Sequence, residues 1–396
     1  MVIKERLQSR WLEMEKPDER IFQKAADYCI GKVKENLPTF TYAFPSEAAE
    51  GGKYQIRPNI LWTTGFWPGM VWIAYMMSKD EAFLKTGKIQ TELFKERLAI
   101  DHVLGHHDIG FLYSLSAVAD YLCTGDEEAK KAGIEAAYRL TRFYREKPGI
   151  IQRGGDMANK QDPFTGVFIV DCLMNIPLLF WANRQTGDAF LYEVGSRHAH
   201  GSAGSIIKDT GAVVQHGIGN IVTGKIHTDS VPSQGFGGDD AAWGRGQAWA
   251  IYGLPLAYAY TGDEMFLEKA KSVIFYFLNR MPSDLIPNWD LIFTDDEDQR
   301  DTSASAIAVC GMLELIRYLK DDDPDKRLIE NAALNILKSL AENYQTKEGQ
   351  DTQGLLDAGV YIMKAYRGVD CPTIWGDYYY LSAANTIQCA NCPHID

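Results

Sequence analysis

Three stretches of the chain follow one order: an apolar segment, the tripeptide Thr-Gly-Asp, then a charged segment with apolar residues on one side only. They read GFLYSLSAVADYLC-TGD-EEAKKAGIEAAYRLTRFY, DCLMNIPLLFWANRQ-TGD-AFLYEVGSRHA and GQAWAIYGLPLAYAY-TGD-EMFLEKAKSVIFYFLNR, with the tripeptide at 124–126, 186–188 and 261–263. The Gly ends one helix and the Asp caps the next. The segment before each turn is apolar nearly all round, as a buried inner helix is, and the segment after it is one-sided, as a surface helix is. Degenerate copies flank the three: WTTGFWPGMVWIAYMMSKDEAFLKTGKIQTELFKERL before them and TSASAIAVCGMLELIRYLKDDDPDKRLIENAALNILKSL after them. The last inner-type segment, WGDYYYLSAANTI, has no following partner, and the amphipathic stretch over roughly 19–36 supplies one. Inner helices starting near Trp62, Asp108, Asp171, Trp243, Asp301 and Trp375, ringed by six outer ones, predict an all-α (α/α)6 barrel forming a single domain over residues 1–396. Strand-like alternation is confined to short pieces around 150–152 and 212–222.

This topology also says where chemistry gathers. All inner helices run the same way, so WTTGFWPG, GHHDIGFLY, FIVDCLMN, AAWGRGQAW, RDTSASA and IWGDYYY meet at one mouth. Six partly positive helix ends there favour an anionic group. The mouth is dense in Trp, Asp, Arg and Tyr, which is what a sugar asks for: rings to stack on and acceptors for its hydroxyls.

Bulk properties narrow the picture. A chain of 396 residues that is 46% hydrophobic can bury a large core. A net charge of −13 disfavours nucleic acid and anionic membrane as partners, and requires any acidic substrate to be captured by locally placed Arg, His or helix ends. No apolar run is long enough to span a bilayer or to form a signal-peptide core, so a cytoplasmic location is expected. Seven scattered cysteines in apolar settings read as reduced thiols. The tail Cys389-Ala-Asn-Cys392-Pro-His394 lacks the further pair of ligands that a structural zinc site uses, so no metal is expected.

An Asp at a helix start is ordinarily a cap, and Asp301 and Asp377 are read that way. Asp108 stands apart in His106-His107-Asp108, and Asp171 follows the apolar run Val167–Val170. A carboxyl in so apolar a setting has a raised pKa, as a proton donor near neutral pH requires, although composition alone leaves structural and functional roles equally open. His216 and Gln234 are polar residues of the long insertion before the fourth inner helix. Arg245, in Trp243-Gly-Arg245-Gly-Gln247-Ala-Trp249, either grips a carboxylate between indoles or braces Asp239 or Asp240.

HHDIGFLYSLSA, IVDCLMNIPLLFWA, QGFGGDDAAWGRGQAWAIYG, NWDLIF, DTSASAIAVCG and IWGDYYYL together resemble the unsaturated glucuronyl hydrolases, glycoside hydrolase family 88, from about Trp62 to Leu381. The resemblance implies an (α/α)6 barrel acting on the small unsaturated oligosaccharides that polysaccharide lyases leave from glycosaminoglycans, with no metal or organic cofactor. It implies that Asp171 protonates C4 of the C4=C5 double bond and then activates water, while Asp108 positions or stabilises the ring. It assigns His107, His216, Gln234, Trp243, Arg245 and Trp249 to the uronate pocket, with Trp62 as a further aromatic wall.

The chain departs from that pattern in places. Where family members often have Gln-Ala-Trp-Gly, it has Gln152-Arg153-Gly154-Gly155, with three extra residues before Asp171 and one extra Gly at 237–238. Relatives favouring sulfated substrates carry an Arg and a Ser-x-x-Ser-x-Lys run. The corresponding places hold Ser233 and Ile362-Met363-Lys364-Ala365-Tyr366-Arg367, which predicts a preference for disaccharides unsulfated on the amino sugar. Two other readings are the sibling unsaturated rhamnogalacturonyl hydrolases, acting on pectin fragments, and an epimerase-like isomerase using facing histidines on the same barrel. HHDIGFLY and WGRGQAW lean away from the first, and His107 and His216 are the only central histidines available to the second.

Overall fold

The computed structural model describes residues 5–228, 233–238 and 241–388. Its inner helices are Phe66–Ser78, Pro177–Thr186, Gly244–Thr261, Thr302–Ile316 and Ile374–Gln388, together with a composite run. That run joins Ile109–Tyr113, a π turn Ser114–Val118 and Ala119–Thr124. The outer layer is Glu19–Phe40, Glu81–Ala99, Glu127–Thr141, Ala189–Ser205, Glu264–Leu278 and Lys326–Ser339. Every residue from Thr302 to Leu315 is buried, whereas Glu127–Thr141 buries only Ala129, Ala132, Gly133, Ala136, Ala137 and Leu140. The opening helix packs against both Ile374–Gln388 and Phe66–Ser78, closing the (α/α)6 ring as the repeat count predicts.

The repeated turns work through one local device. Gly125, Gly187 and Gly262 have φ of 74°, 74° and 70°, the left-handed conformation that costs a glycine nothing. Asp126, Asp188 and Asp263 then accept from the backbone N–H of Glu128, Phe190 and Met265. The threonine has a part that the sequence reading missed. Thr186 donates to Ala182 O (2.8 Å) and accepts from Asp188 N (3.2 Å), and Thr261 repeats the pattern. Ser78-Lys79-Asp80 proves to be a fourth copy, with Ser78 bonded to Ala74 O and Asp80 capping at Ala82 N. Here Lys79 occupies the glycine position at φ 55°. A β-carbon in that region costs about 1 kcal/mol, so Lys79→Gly is expected to raise the urea-unfolding free energy by about that much.

The ring departs from regularity where the mouth is built. The third inner helix does not begin at Asp171: Val170–Met174 is a 3-10 turn, entered from the strand Val167–Ile169, and the helix proper starts at Pro177. Asp377 is not a cap either. It lies in the first turn of Ile374–Gln388, where it accepts from Tyr54 Oη and Leu356 N. The anticipated strands exist, His216–Gly219 pairing with Val167–Ile169 and Ile150–Ile151 with Tyr144–Arg145. Two hairpins, Phe44–Pro45 with Ile56–Arg57 and Gly359–Ile362 with Arg367–Cys371, were not foreseen. No helix among the described residues is long and apolar enough to cross a membrane. Among them, too, no cluster of His, Cys, Asp and Glu is arranged to hold a metal ion; Cys389, Cys392 and His394 lie outside the described residues.

Candidate active site

Asp108 and Asp171 come together because their segments touch through backbone. A β-carbon on Gly110 would lie 2.3 Å from Asn175 Cα, so only glycine permits this approach. Asn175 locks it, accepting from Phe111 N at 2.8 Å and donating to Asp171 O at 3.1 Å. A third strip ties the two segments again. Arg153 N donates to Val167 O (2.8 Å) and Arg153 O accepts from His107 N (3.1 Å). His216 pairs with Ile169 on the other side of the same strand.

The two carboxyls have opposite proton affinities. Burial, reinforced by the nearby charge of Asp108, pushes Asp171 up to about 7, against the opposing pull of Arg245. The Asp171 Oδ1 atom is buried with no hydrogen-bond partner. Burial also raises Asp108, but the His107 and His106 imidazoles and the Arg153 charge outweigh it and hold the carboxyl below its ordinary value. His107 Nε2 stands 3.5 Å from Asp108 Oδ1, and His106 Nδ1 stands 3.2 Å from Oδ2. Burial pushes His107 down to about 4 and His216 to about 3, so both rings are neutral near pH 7. At neutral pH one carboxyl is thus a carboxylate and the other is poised to give up a proton. Such divergence within one pair marks acid–base work.

Arg245 is fully enclosed and forms the other wall. Its guanidinium lies 4.4 Å from the Trp243 ring centre and 4.7 Å from that of Trp375. It donates to Val360 O, to Tyr361 O (2.9 Å) and to Gln234 Oε1 (3.1 Å). Trp62 stacks on Trp375 at 5.5 Å and donates to Tyr361 Oη at 3.3 Å, continuing the aromatic face. Trp249 is placed differently from the others: wholly buried, it packs on Phe111 and Tyr379 in the layer beneath the mouth. Asp239 and Asp240, the suggested braces for Arg245, lie outside the described residues. Val360, Tyr361, Asn175 and Arg153 are the site residues that the sequence reading missed or treated only as departures.

Asp301 does cap its helix, accepting from Ser303 N (3.1 Å) and Ser303 Oγ (2.6 Å), yet it also accepts from Val360 N and faces the Arg245 charge. Asp301→Ala is expected to cost about 1 kcal/mol as a lost cap. It should also shift KM, because the Arg245 charge that faces the substrate is then no longer offset by Asp301. A variant with lowered stability and unchanged KM would confine Asp301 to capping.

A barrel mouth walled by indoles takes a sugar ring, and paired carboxyls of unlike proton affinity cut or hydrate it; fold and site together define a glycoside hydrolase. Comparison with known proteins gives the particular kind. The chain belongs to Glycosyl Hydrolase Family 88, whose pattern matches residues 38–384. It is 40% identical over 375 residues to the unsaturated chondroitin disaccharide hydrolase of Streptococcus pneumoniae, covering 94% of this chain and 93% of that one. The crystal structure of an unsaturated glucuronyl hydrolase from Streptococcus agalactiae superposes with a TM-score of 0.92 at 36% identity, covering 98% and 96% of the two chains. An Asp-to-Asn variant of that enzyme complexed with dGlcA-GalNAc6S gives a TM-score of 0.84 at 35% identity, covering 97% of each chain.

Proposed function

We propose that this protein releases the Δ4,5-unsaturated uronic acid from lyase-generated glycosaminoglycan disaccharides by hydrating the C4=C5 double bond. The observation that carries the reading is the pairing of a carboxyl raised to about 7, Asp171, with one held ionised, Asp108. Asp171 donates its proton to C4, leaving positive charge shared by C5 and the ring oxygen. The Asp171 carboxylate then takes a proton from water as its oxygen bonds to C5. The resulting hemiketal opens to a ketone at C5, and the freed hemiacetal at C1 expels the second sugar, with one water consumed overall. Ionised Asp108 steadies the positive ring. Arg245 and Gln234 face the uronate carboxylate, with Trp62, Trp243 and the neutral imidazoles of His107 and His216 shaping the pocket and Trp249 supporting its floor. The relatives named for chondroitin and glucuronyl substrates support this reading over pectin fragments. The five described cysteines are free thiols, which supports a reducing, cytoplasmic setting.

Incubation with a panel of unsaturated disaccharides should abolish their ultraviolet absorbance, while saturated glucuronides remain intact. Equal hydrolysis of saturated glucuronides would overturn the hydration chemistry, and activity confined to unsaturated rhamnogalacturonan fragments would overturn the substrate class.

On the leaving-sugar side, Arg367 is paired with Glu47 at 2.6 Å and lies over Tyr361, so its charge is already partly offset. Lys364, which the sequence reading left uncounted as a cation, donates to Ser233 O at 3.0 Å. A sulfate needs more donors than this to replace its lost water. kcat/KM is therefore expected to be higher for disaccharides unsulfated on the amino sugar than for sulfated partners. The opposite order, abolished by Lys364→Ala, would show that Lys364 serves the sulfate instead.

A further inference from the structure

We infer that Asp377 is a positioning residue for substrate recognition: it fixes the two surfaces between which the Arg245 guanidinium is held, and so sets the grip on the uronate carboxylate. The inference rests on the hydration reading above and extends it to a residue that touches no substrate. One surface is the indole of Trp375, in the first turn of Ile374–Gln388, with its ring centre 4.7 Å from the guanidinium carbon. The other is the strap of residues 355–361, whose Val360 O and Tyr361 O accept from Arg245. Asp377 joins the two. It shares a helical turn with Trp375, and its Oδ1 accepts from Leu356 N at 3.1 Å, at the leading end of the strap. Its Oδ2 accepts from Tyr54 Oη at 2.8 Å, and Tyr54 N donates to Gln353 Oε1 at 2.9 Å, so the residues just before the strap are tied to the same point.

The strap is held in place rather than relaxed. Ala358 has φ of 60°, in the left-handed region that a β-carbon disfavours, and such a residue persists only where its surroundings fix it. Asp357 O accepts from Thr302 Oγ1 (2.8 Å), Ala358 O accepts from Thr302 N (3.2 Å), and Val360 N donates to Asp301 Oδ1 (3.3 Å). Those bonds pin the strap to the fifth inner helix. Asp377 ties it to the last one, the helix that carries Trp375. Burying a carboxylate costs far more than burying an apolar side chain. Asp377 is 1% exposed, and among the described residues its partners are a hydroxyl and backbone N–H groups, with no cation. Such a cost is offset where the two hydrogen-bonded ends must keep a fixed separation, here that between the strap carbonyls and the indole.

The test compares an unsaturated disaccharide with its uronate methyl ester, which keeps the double bond and loses the anionic group that Arg245 meets. The native enzyme should show the higher kcat/KM for the acid. Asp377→Ala should lower that acid-to-ester ratio by about tenfold, through KM for the acid, with kcat changed by less than about threefold. Asp377→Asn should keep most of the ratio, because its amide oxygen still accepts from Leu356 N while its NH2 meets the Tyr54 oxygen. A purely structural role predicts a lower melting temperature with the ratio unchanged. Should Asp377→Ala fail to fold, Tyr54→Phe decides: it removes one bond to the carboxylate and should lower the ratio about threefold. An unchanged ratio in Asp377→Ala, or in Tyr54→Phe where the first variant does not fold, would overturn the inference. Equal hydrolysis of acid and ester by the native enzyme would overturn it too, with the hydration reading left standing. If neither sugar is hydrolysed by the native enzyme, it is the hydration reading that fails, and this inference with it.

Discussion

Asp171→Asn is expected to lower kcat by about 10²–10⁴-fold, the usual worth of one general acid–base group, with substrate affinity and fold retained. The same carboxyl serves twice, as donor to C4 and as acceptor from water, and an amide can do neither. Its position near 7 also sets the basic limb of the pH profile: above that point the proton to be given is already lost. Neutralising the neighbour with Asp108→Asn removes one cause of the elevation, so the limb should move to lower pH in that variant. Stability gives an independent check. A carboxyl raised on folding from 3.8 to about 7 binds more protons in the native than in the unfolded state across that window. Its contribution therefore declines as pH rises through the window and is a net cost above it. Asp171→Asn removes that cost, so its melting temperature at pH 8 should equal or exceed that of the parent. Near-normal kcat, or a pH profile without a limb near 7, would remove Asp171 from the role of acid.

Gly110→Ala should be almost as damaging, although residue 110 reaches no substrate. Its new methyl would sit 2.3 Å from Asn175 Cα and 2.5 Å from Asn175 O, both main-chain atoms with no flexible end to swing aside. Relief requires the Asp108 and Asp171 segments to separate, and a shift of about 1 Å in catalytic geometry costs on the order of 10²-fold in rate. Overpacking of this kind also costs about 1–3 kcal/mol of stability. The signature is a fall in kcat together with a downward move of the basic limb, because a more distant Asp108 no longer lifts Asp171 as far. A stable variant with unchanged kcat would mean that the two segments tolerate separation and that their contact is only structural.

What the sequence discloses here is what local chemistry controls. The Thr-Gly-Asp turns announce themselves because a left-handed glycine and a capping aspartate are properties of adjacent residues. The mouth followed because parallel inner helices must bring their starts together, and Asp108, Asp171, Arg245 and Trp375 do meet there. Failures came where a role depends on distant backbone. Val360 and Tyr361 act on Arg245 through carbonyl oxygens, which every residue type possesses, so no side chain marks them. Arg153 sits in a glycine-containing segment whose partners, His107 and Val167, are revealed only when the strip is threaded between them. Depth was equally hidden: Trp243 and Trp249 share one helix start, yet Trp249 faces Phe111 and Tyr379 from within the core. Lys79 escaped notice as a turn residue because a charged side chain rarely takes the glycine conformation.

The seam of the ring lies between the opening helix and the last one, which pack against each other. Lys16, Glu19 and Phe22 line the same cavity as Thr386 and Ile387, so the two ends of the folded path are neighbours in space. The order in which the hairpins occur along the chain is then separable from their order around the circle. Joining the two ends by a short flexible linker, and opening the chain instead at the Thr-Gly-Asp turn of residues 261–263, gives a circular permutant in which every inner helix keeps its neighbours. All six helix starts would still converge on Asp108 and Asp171, since the cut falls on the face away from them. The seam also brings together residues as far apart in sequence as Phe22 and Thr386, so closing it carries a larger loop-closure entropy than joining neighbouring hairpins.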